Sequence, residues 1–318
     1  MPDPLALAAA QIVQHACGKS PAEVIPLRRG VMTFKFVVAL PSGERYVVRF
    51  YPDSRYQVVC YEGDILRRCR EAGLAAPEPL ADSRSGPPAP QSYLMYRMIE
   101  GVPAADRYHG LGPAARARLA GQLVTALHRL AELPVSGYGD LLDGVTARFP
   151  RWLDFLHDSV TEGIRCARQQ QLLPSALLRD LETISSAWGS FPADAPGRLA
   201  WGDISLENLL LDAEGNVAGM VDFEGVLAAG PLLNLGYCYA AGGEFDFFLS
   251  LCEAWPTPID DEARRSIDLY AILRVLRIAR FAHQPLPTGG PRTPLAEMFP
   301  GFSKALQKEA KRCLTKKS

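Results

Sequence analysis

The spacing of apolar positions divides the chain into a β-rich stretch followed by a mainly helical one. Residues 4 to 17 repeat at helical intervals and predict a short amphipathic helix. The pattern then tightens. Phe34 to Leu40 and Arg45 to Phe50 are short β-branched and aromatic runs around Pro41-Ser-Gly-Glu, which predicts a hairpin. From 56 to 72 the helical period returns, with Val59, Glu62, Leu66 and Cys69 three or four residues apart. Gly73 ends that helix, and Pro77 and Pro79 prevent its resumption. Residues 82 to 90 are rich in Ser, Gly and Pro, Tyr93 to Ile99 is a further strand, and Glu100-Gly-Val-Pro breaks it.

Beyond residue 112 helical spacing dominates. Leu119, Leu123, Leu127 and Leu130 share one face of a helix over 114–130, and two more helices are predicted over 149–168 and 173–188. A strand-rich interruption follows at 199–223, and helices resume to the end. This order predicts an α+β, bilobal fold: a small β-rich N-terminal lobe, 1–98, and a larger, mainly helical C-terminal lobe, 99–318.

Composition narrows the picture. The 318 residues are long enough for two lobes, with 48% hydrophobic and 22% charged residues, the balance of a soluble globular protein. A formal net charge of −1 gives no electrostatic case for nucleic acid or an anionic membrane. No apolar stretch approaches a membrane span, and the start, Met-Pro-Asp-Pro, lacks the basic region of a signal peptide. The seven cysteines are odd in number and show no Cys-x-x-Cys spacing, which suggests buried free thiols and a cytoplasmic protein.

The chemistry concentrates between Trp201 and Glu224. Asn208 to Leu211 and Val217 to Asp222 read as two short strands around a polar turn at 212–216. Such a hairpin brings Asp203, ahead of its first strand, and Asn208, at that strand's start, close to Asp222 at the end of its second. Two carboxylates and a carboxamide gathered by apolar strands are costly unless something satisfies them. Mg²⁺ with phosphate oxygens is a natural partner for that donor set.

Trp201-Gly-Asp-x-x-x-x-Asn followed by Val221-Asp-Phe-Glu resembles the aminoglycoside phosphotransferase and choline kinase-like family, whose fold is protein-kinase-like. The resemblance implies a small-molecule phosphotransferase that moves the γ-phosphate of ATP or GTP onto a hydroxyl. Asp203 would be the base, and Asn208 and Asp222 the Mg²⁺ ligands. Arg49 stands where the family places a strand cation on the nucleotide phosphates, and Glu62 where a helix-borne acid pairs with that cation. Gly30 and Thr33 lie in the segment that would cover the phosphates. Met95, Tyr96 and Met98 lie at the hinge, with backbone groups of Tyr96 and Met98 facing a purine edge and Met95 behind it. Glu224, Tyr237, Glu244 and Asp246 are the candidates for the acceptor side.

Three positions depart from the family pattern. Trp201 replaces a histidine, Arg49 replaces a lysine, and Gly230 and Asn234 occupy the places of two acids after the motif. None of the three motif residues is lost, so an active enzyme is expected, rather than a pseudokinase. No Ala-Pro-Glu follows Asp222-Phe-Glu, which argues against a protein kinase. The acceptor is expected to be an antibiotic, aminoglycoside or other, or a metabolite such as choline or homoserine, and the chain a monomer or homodimer. Acids at Glu244, Asp246, Glu253, Asp260, Asp261 and Glu262 are followed closely by Arg264, Arg265, Arg274, Arg277 and Arg280, so the charge pattern does not demand a polycationic acceptor.

Overall fold

A computed structural model describes residues 3–27, 32–185, 196–241, 245–281 and 299–315. The first helix, α1 (Pro4–Cys17), begins with Pro at its first position and the Asp3 side chain accepting from the Leu5 N–H. It lies on a five-stranded antiparallel sheet of order β1-β2-β3-β5-β4. The strands are β1 (Glu23–Pro26), β2 (Phe34–Ala39), β3 (Arg45–Tyr51), β4 (Glu78–Asp82) and β5 (Ser92–Arg97). Strand alternation splits the side chains between two cores. Phe36, Val38, Val48, Phe50, Tyr93 and Met95 pack with Ala8, Ile12 and Val13 beneath α1. Val37, Val47, Tyr51, Leu94 and Tyr96 face the other way, toward α2 (Tyr56–Glu71) and the rest of the molecule.

The chain leaves this sheet at Arg97. A two-residue strand, β6 (Val102–Pro103), pairs with β10 (Leu209–Leu211), which itself pairs with β11 (Val217–Met220). The expected hairpin around the motif is therefore present, with β6 as a third strand. A second small sheet, order β8-β7-β12-β9, combines β7 (Tyr138–Leu141), β8 (Ala147–Phe149), β9 (Arg198–Ala200) and β12 (Leu227–Ala229). Around these strands pack α3 (Pro113–Glu132), α4 (Trp152–Gln169), α5 (Ser175–Ser185), α6 (Leu233–Ala241), α7 (Phe245–Ala254), α8 (Asp261–Phe281) and α9 (Pro300–Thr315). Helix α8 lies against α4, α6 and α9 and is the central helix of this part. The fold is thus a β-rich N-terminal region joined to a mainly helical C-terminal part, as the apolar spacing predicts.

Several local expectations need correction. The helix predicted from 149 starts at Trp152, because Phe149 closes β8. The strand-rich interruption runs past 223 to β12, since among the described residues β9 pairs only with β12. Among the described residues Cys17, Cys60, Cys69, Cys166, Cys238 and Cys252 are all free thiols. No described helix is long and apolar enough to cross a membrane.

Candidate active site

Two glycines bring the motif together. Gly202 has φ +75°, and a Cβ there would sit 1.9 Å from the Gly225 carbonyl oxygen. Only glycine lets the loop carrying Asp203 press its backbone against the turn 223–225 that follows Asp222. Trp201 is fully buried under this contact and packs on Phe223 with ring centroids 6.1 Å apart. The aromatic ring thus supports the loop where the family has histidine, although among the described residues its indole N–H has no partner. Asn234 is also explained: its buried side-chain oxygen accepts from the Gly202 N–H at 3.4 Å, a bridge that a carboxamide makes as well as an acid.

Asp203 is held from both sides. Asn208 Nδ2 donates to Asp203 Oδ2 at 2.8 Å and to the Asp203 carbonyl at 3.0 Å. Arg274 Nη2, from α8, donates to Asp203 Oδ1 at 3.1 Å. The other Arg274 terminal nitrogen donates to the Tyr237 carbonyl, and the guanidinium lies over the Tyr237 and Phe299 rings at 5.6 and 5.2 Å. Burial pushes the Asp203 carboxyl up to about 6, with Arg274 pulling it down and Asp222 and Glu224 adding to the rise. Its side chain is still 40% exposed, so the low-dielectric wall behind it, and not full enclosure, is responsible.

Asp222, two residues past the end of β11, lies in the left-handed region, φ 64° and ψ 65°. A non-glycine residue held there stores local strain, a recurrent feature of functional sites. Its carboxylate takes Arg49 Nη2 at 2.8 Å and Lys35 Nζ at 3.4 Å. Burial acts to raise it, but Arg49 and Lys35 outweigh burial and hold it down at about 2. Two carboxyls beside one short hairpin are therefore pushed in opposite directions, Asp203 up and Asp222 down.

Arg49 is buried at the centre of the network. Its Nε donates to Thr33 Oγ1 at 3.0 Å, its Nη1 meets Glu62 Oε1 at 3.1 Å, and its Nη2 also meets Glu224 Oε2 at 2.5 Å. Burial opposes its charge, yet Asp222 and Glu224 hold its pKa well above the usual value. Glu62 accepts from the Tyr51 hydroxyl at 2.6 Å, and burial pushes its carboxyl up against the pull of Arg49. Arg55 reaches Glu224 at 2.9 Å, and the Tyr61 hydroxyl donates to the Glu224 carbonyl at 2.6 Å. The sheet, α2 and the motif turn are thus tied by charge.

The structure brings together Asp203, Asn208, Asp222, Glu224, Arg49, Glu62 and Thr33. Tyr237 lies buried beneath Arg274. Gly30 and Glu244 lie outside the described residues. Asp246 is held elsewhere, its exposed carboxylate pairing with Arg116 at 3.8 Å. Met95 is a correction: alternation along β5 sends it beneath α1, onto the face opposite Arg49. Part of the hinge backbone is already engaged. Tyr96 lies inside the ladder between Val47 of β3 and Pro79 of β4, and the Met98 N–H is already given to the Arg45 carbonyl.

Three participants escape the sequence reading: Lys35, Arg55 and Arg274. Lys35 was within reach, since the β2–β3 register sets it directly opposite Arg49. Arg55 and Arg274 carry no local signal. The donor set fits Mg²⁺. Asp222 is ionised across the ordinary pH range, and Asn208, with both Nδ2 bonds spent on Asp203, leaves its Oδ1 as a neutral oxygen donor.

Residues 23–276 match the model of a phosphotransferase enzyme family. No curated protein matches the chain. Among solved structures, a GDP complex of a variant of aminoglycoside 2'-phosphotransferase-IIIa aligns with TM-score 0.68 at 18% identity, covering 98% of this chain and 100% of that one. A ternary complex of aminoglycoside phosphotransferase APH(4)-Ia with ADP and hygromycin B aligns with TM-score 0.68 at 15% identity, covering 97% and 98%. The gentamicin complex of APH(2")-IIa aligns with TM-score 0.65 at 16% identity, covering 96% and 95%.

Proposed function

Because the chain belongs to the phosphotransferase enzyme family and is a phosphotransferase that acts on a hydroxyl of a small molecule, we propose that the donor is the γ-phosphate of ATP or GTP and that Asp203 is the base. The observation that carries this reading is the Gly202–Gly225 contact, which sets an Asp203 bound by Asn208 and Arg274 beside an Asp222 bound by Arg49. The acceptor hydroxyl donates its proton to Asp203 as its oxygen bonds to the γ-phosphorus. The bond from that phosphorus to the β–γ bridging oxygen breaks, and the nucleoside diphosphate leaves.

Arg274 and Asn208 orient the carboxylate, so that a free lone pair faces the incoming hydroxyl. Arg49 and Lys35 supply the cationic side. When phosphate oxygens arrive, Arg49 exchanges its bonds to Asp222 and Glu224 for bonds to phosphate, while Glu62 and Thr33 keep its stem in place. Mg²⁺, held through Asn208 Oδ1 and Asp222, would draw negative charge from the phosphate oxygens.

We read residues 1–98 as the nucleotide-binding lobe and 99–318 as the catalytic lobe. The end of β5 at Arg97 and the pairing of β6 with β10 support a division there. The neighbours with bound GDP and ADP support a nucleotide donor. A hydroxyl-bearing antibiotic or a metabolite is the acceptor. The test is a nucleotide-consumption screen over antibiotics and small alcohols, with ATP and GTP in parallel and Mg²⁺ present or chelated. Metal-dependent consumption stimulated by at least one hydroxyl compound is expected. Neither nucleotide being bound would refute the reading.

A further inference from the structure

The acceptor side of Asp203 is governed by one helix. Arg274, Arg277 and Arg280 project from α8 at three-residue intervals, and each meets a carboxylate from a different element. Arg274 meets Asp203 of the motif loop at 3.1 Å, Arg277 meets Asp140 of β7, and Arg280 meets Asp158 of α4 at 2.8 Å. At the other edge Glu224 is shared by Arg49 and Arg55. Among the described residues, Asp203, Asp140, Asp158 and Glu224 are therefore each already paired with a guanidinium.

A molecule bearing several ammonium groups needs carboxylates whose charge is still available. Brought beside Asp140 or Asp203, an ammonium would be attracted by the acid and repelled almost equally by the fixed arginine a few ångströms behind it. The Tyr237 hydroxyl also lies beside Arg277 in this wall, so that guanidinium is engaged by the phenol oxygen as well as by Asp140.

Resting on the phosphotransferase reading above, we infer that the acceptor is an uncharged or anionic hydroxyl compound and not a polyammonium one. This separates the chain from neighbours solved with hygromycin B and gentamicin, with which it shares the fold.

Calorimetric titration tests this, using gentamicin as the polyammonium probe and protein saturated with a non-hydrolysable analogue of ATP or GTP plus Mg²⁺. The wild type is expected to bind the nucleotide analogue and to give no gentamicin binding. Arg277→Gln, which frees the Asp140 carboxylate, is expected to gain gentamicin affinity of about tenfold or more. Wild-type binding of gentamicin as tight as that of the variant, or gentamicin-stimulated nucleotide consumption, overturns the inference. So does a folded variant with no gain, because the arginine pairing is then not what excludes the polycation. If the variant does not fold, the wild-type titration and the consumption assay decide alone. Failure of the nucleotide analogue to bind is a separate result and defeats the phosphotransferase mechanism itself.

Discussion

Gly202→Ala probes the contact on which the site depends, and Gly43→Ala is its control. Both glycines have positive φ, +75° and +88°. Placing alanine in that region costs about 1–2 kcal/mol through its Cβ alone. At Gly43 nothing lies within 4 Å of an added Cβ, so that cost is the whole effect. At Gly202 the Cβ would lie 1.9 Å from the Gly225 oxygen and 2.8 Å from Leu227 Cδ2. An ordinary carbon–oxygen contact is about 3.3 Å, so the turn must retreat by roughly 1.4 Å. A backbone carbonyl cannot rotate out of the way, and overpacking of this kind adds about 1–3 kcal/mol. Gly202→Ala should therefore cost about 2–5 kcal/mol in total, which for a chain of this size lowers Tm by about 4–10 °C. Gly43→Ala should lower it by about 2–4 °C. Calorimetry measures both. Turnover, assayed well below either Tm, should fall about 100-fold for Gly202→Ala, since the retreat separates Asp203 from Asp222, and should stay near normal for Gly43→Ala. Equal destabilisation by the two substitutions, or full activity in Gly202→Ala, would refute the reasoning.

Arg274→Met keeps the packing between Tyr237 and Phe299 but removes the bond to Asp203; loss of a hydrogen bond to a charged group, about 1.5–3 kcal/mol, should lower kcat about 10–150-fold with nucleotide Kd unchanged. Arg274→Lys should recover part of that loss, and a matching loss of nucleotide affinity would instead mark Arg274 as structural. Asp203 must be ionised to accept a proton, and burial raises its pKa to about 6, so kcat/KM should fall as pH drops through about 6 and level off above it. An acid limb near the ordinary carboxyl value would contradict that environment. Glu224→Gln removes a charge that competes with phosphate for Arg49 and Arg55, and should tighten nucleotide binding several-fold in a fluorescence titration. Weaker binding would show that Glu224 helps to hold the nucleotide.

What the sequence disclosed, and what it withheld, follows from the range of each interaction. Asp203, Asn208 and Asp222 were legible because a short hairpin fixes their proximity locally. The Arg49–Glu62 pair came through resemblance, and the structure brings the two side chains to 3.1 Å. Lys35 required knowing the register of β2 on β3, which the Pro41-Ser-Gly-Glu turn constrains without stating. Arg274 was out of reach: 71 positions separate it from Asp203, and only the tertiary packing of α8 joins them. Met95 was misplaced for a different reason. Tyr93, Leu94, Met95 and Tyr96 are all buried, because β5 is covered on both faces, so apolar alternation gives no sign of which residues face α1. The small sheet of β7, β8, β9 and β12 was hidden because its strands are only three or four residues long and β12 pairs with β7 and β9, which lie far from it in sequence.

The proton-accepting role of Asp203 is tested most directly by Asp203→Asn, which keeps the size of the side chain and can still bond to Asn208. In single-turnover phosphoryl transfer to an acceptor identified by the consumption screen, the rate should fall by about 10²- to 10⁴-fold. Mg²⁺-dependent nucleotide affinity should stay within a few-fold of the wild type. Retention of most of the transfer rate, at unchanged nucleotide affinity, would contradict the account.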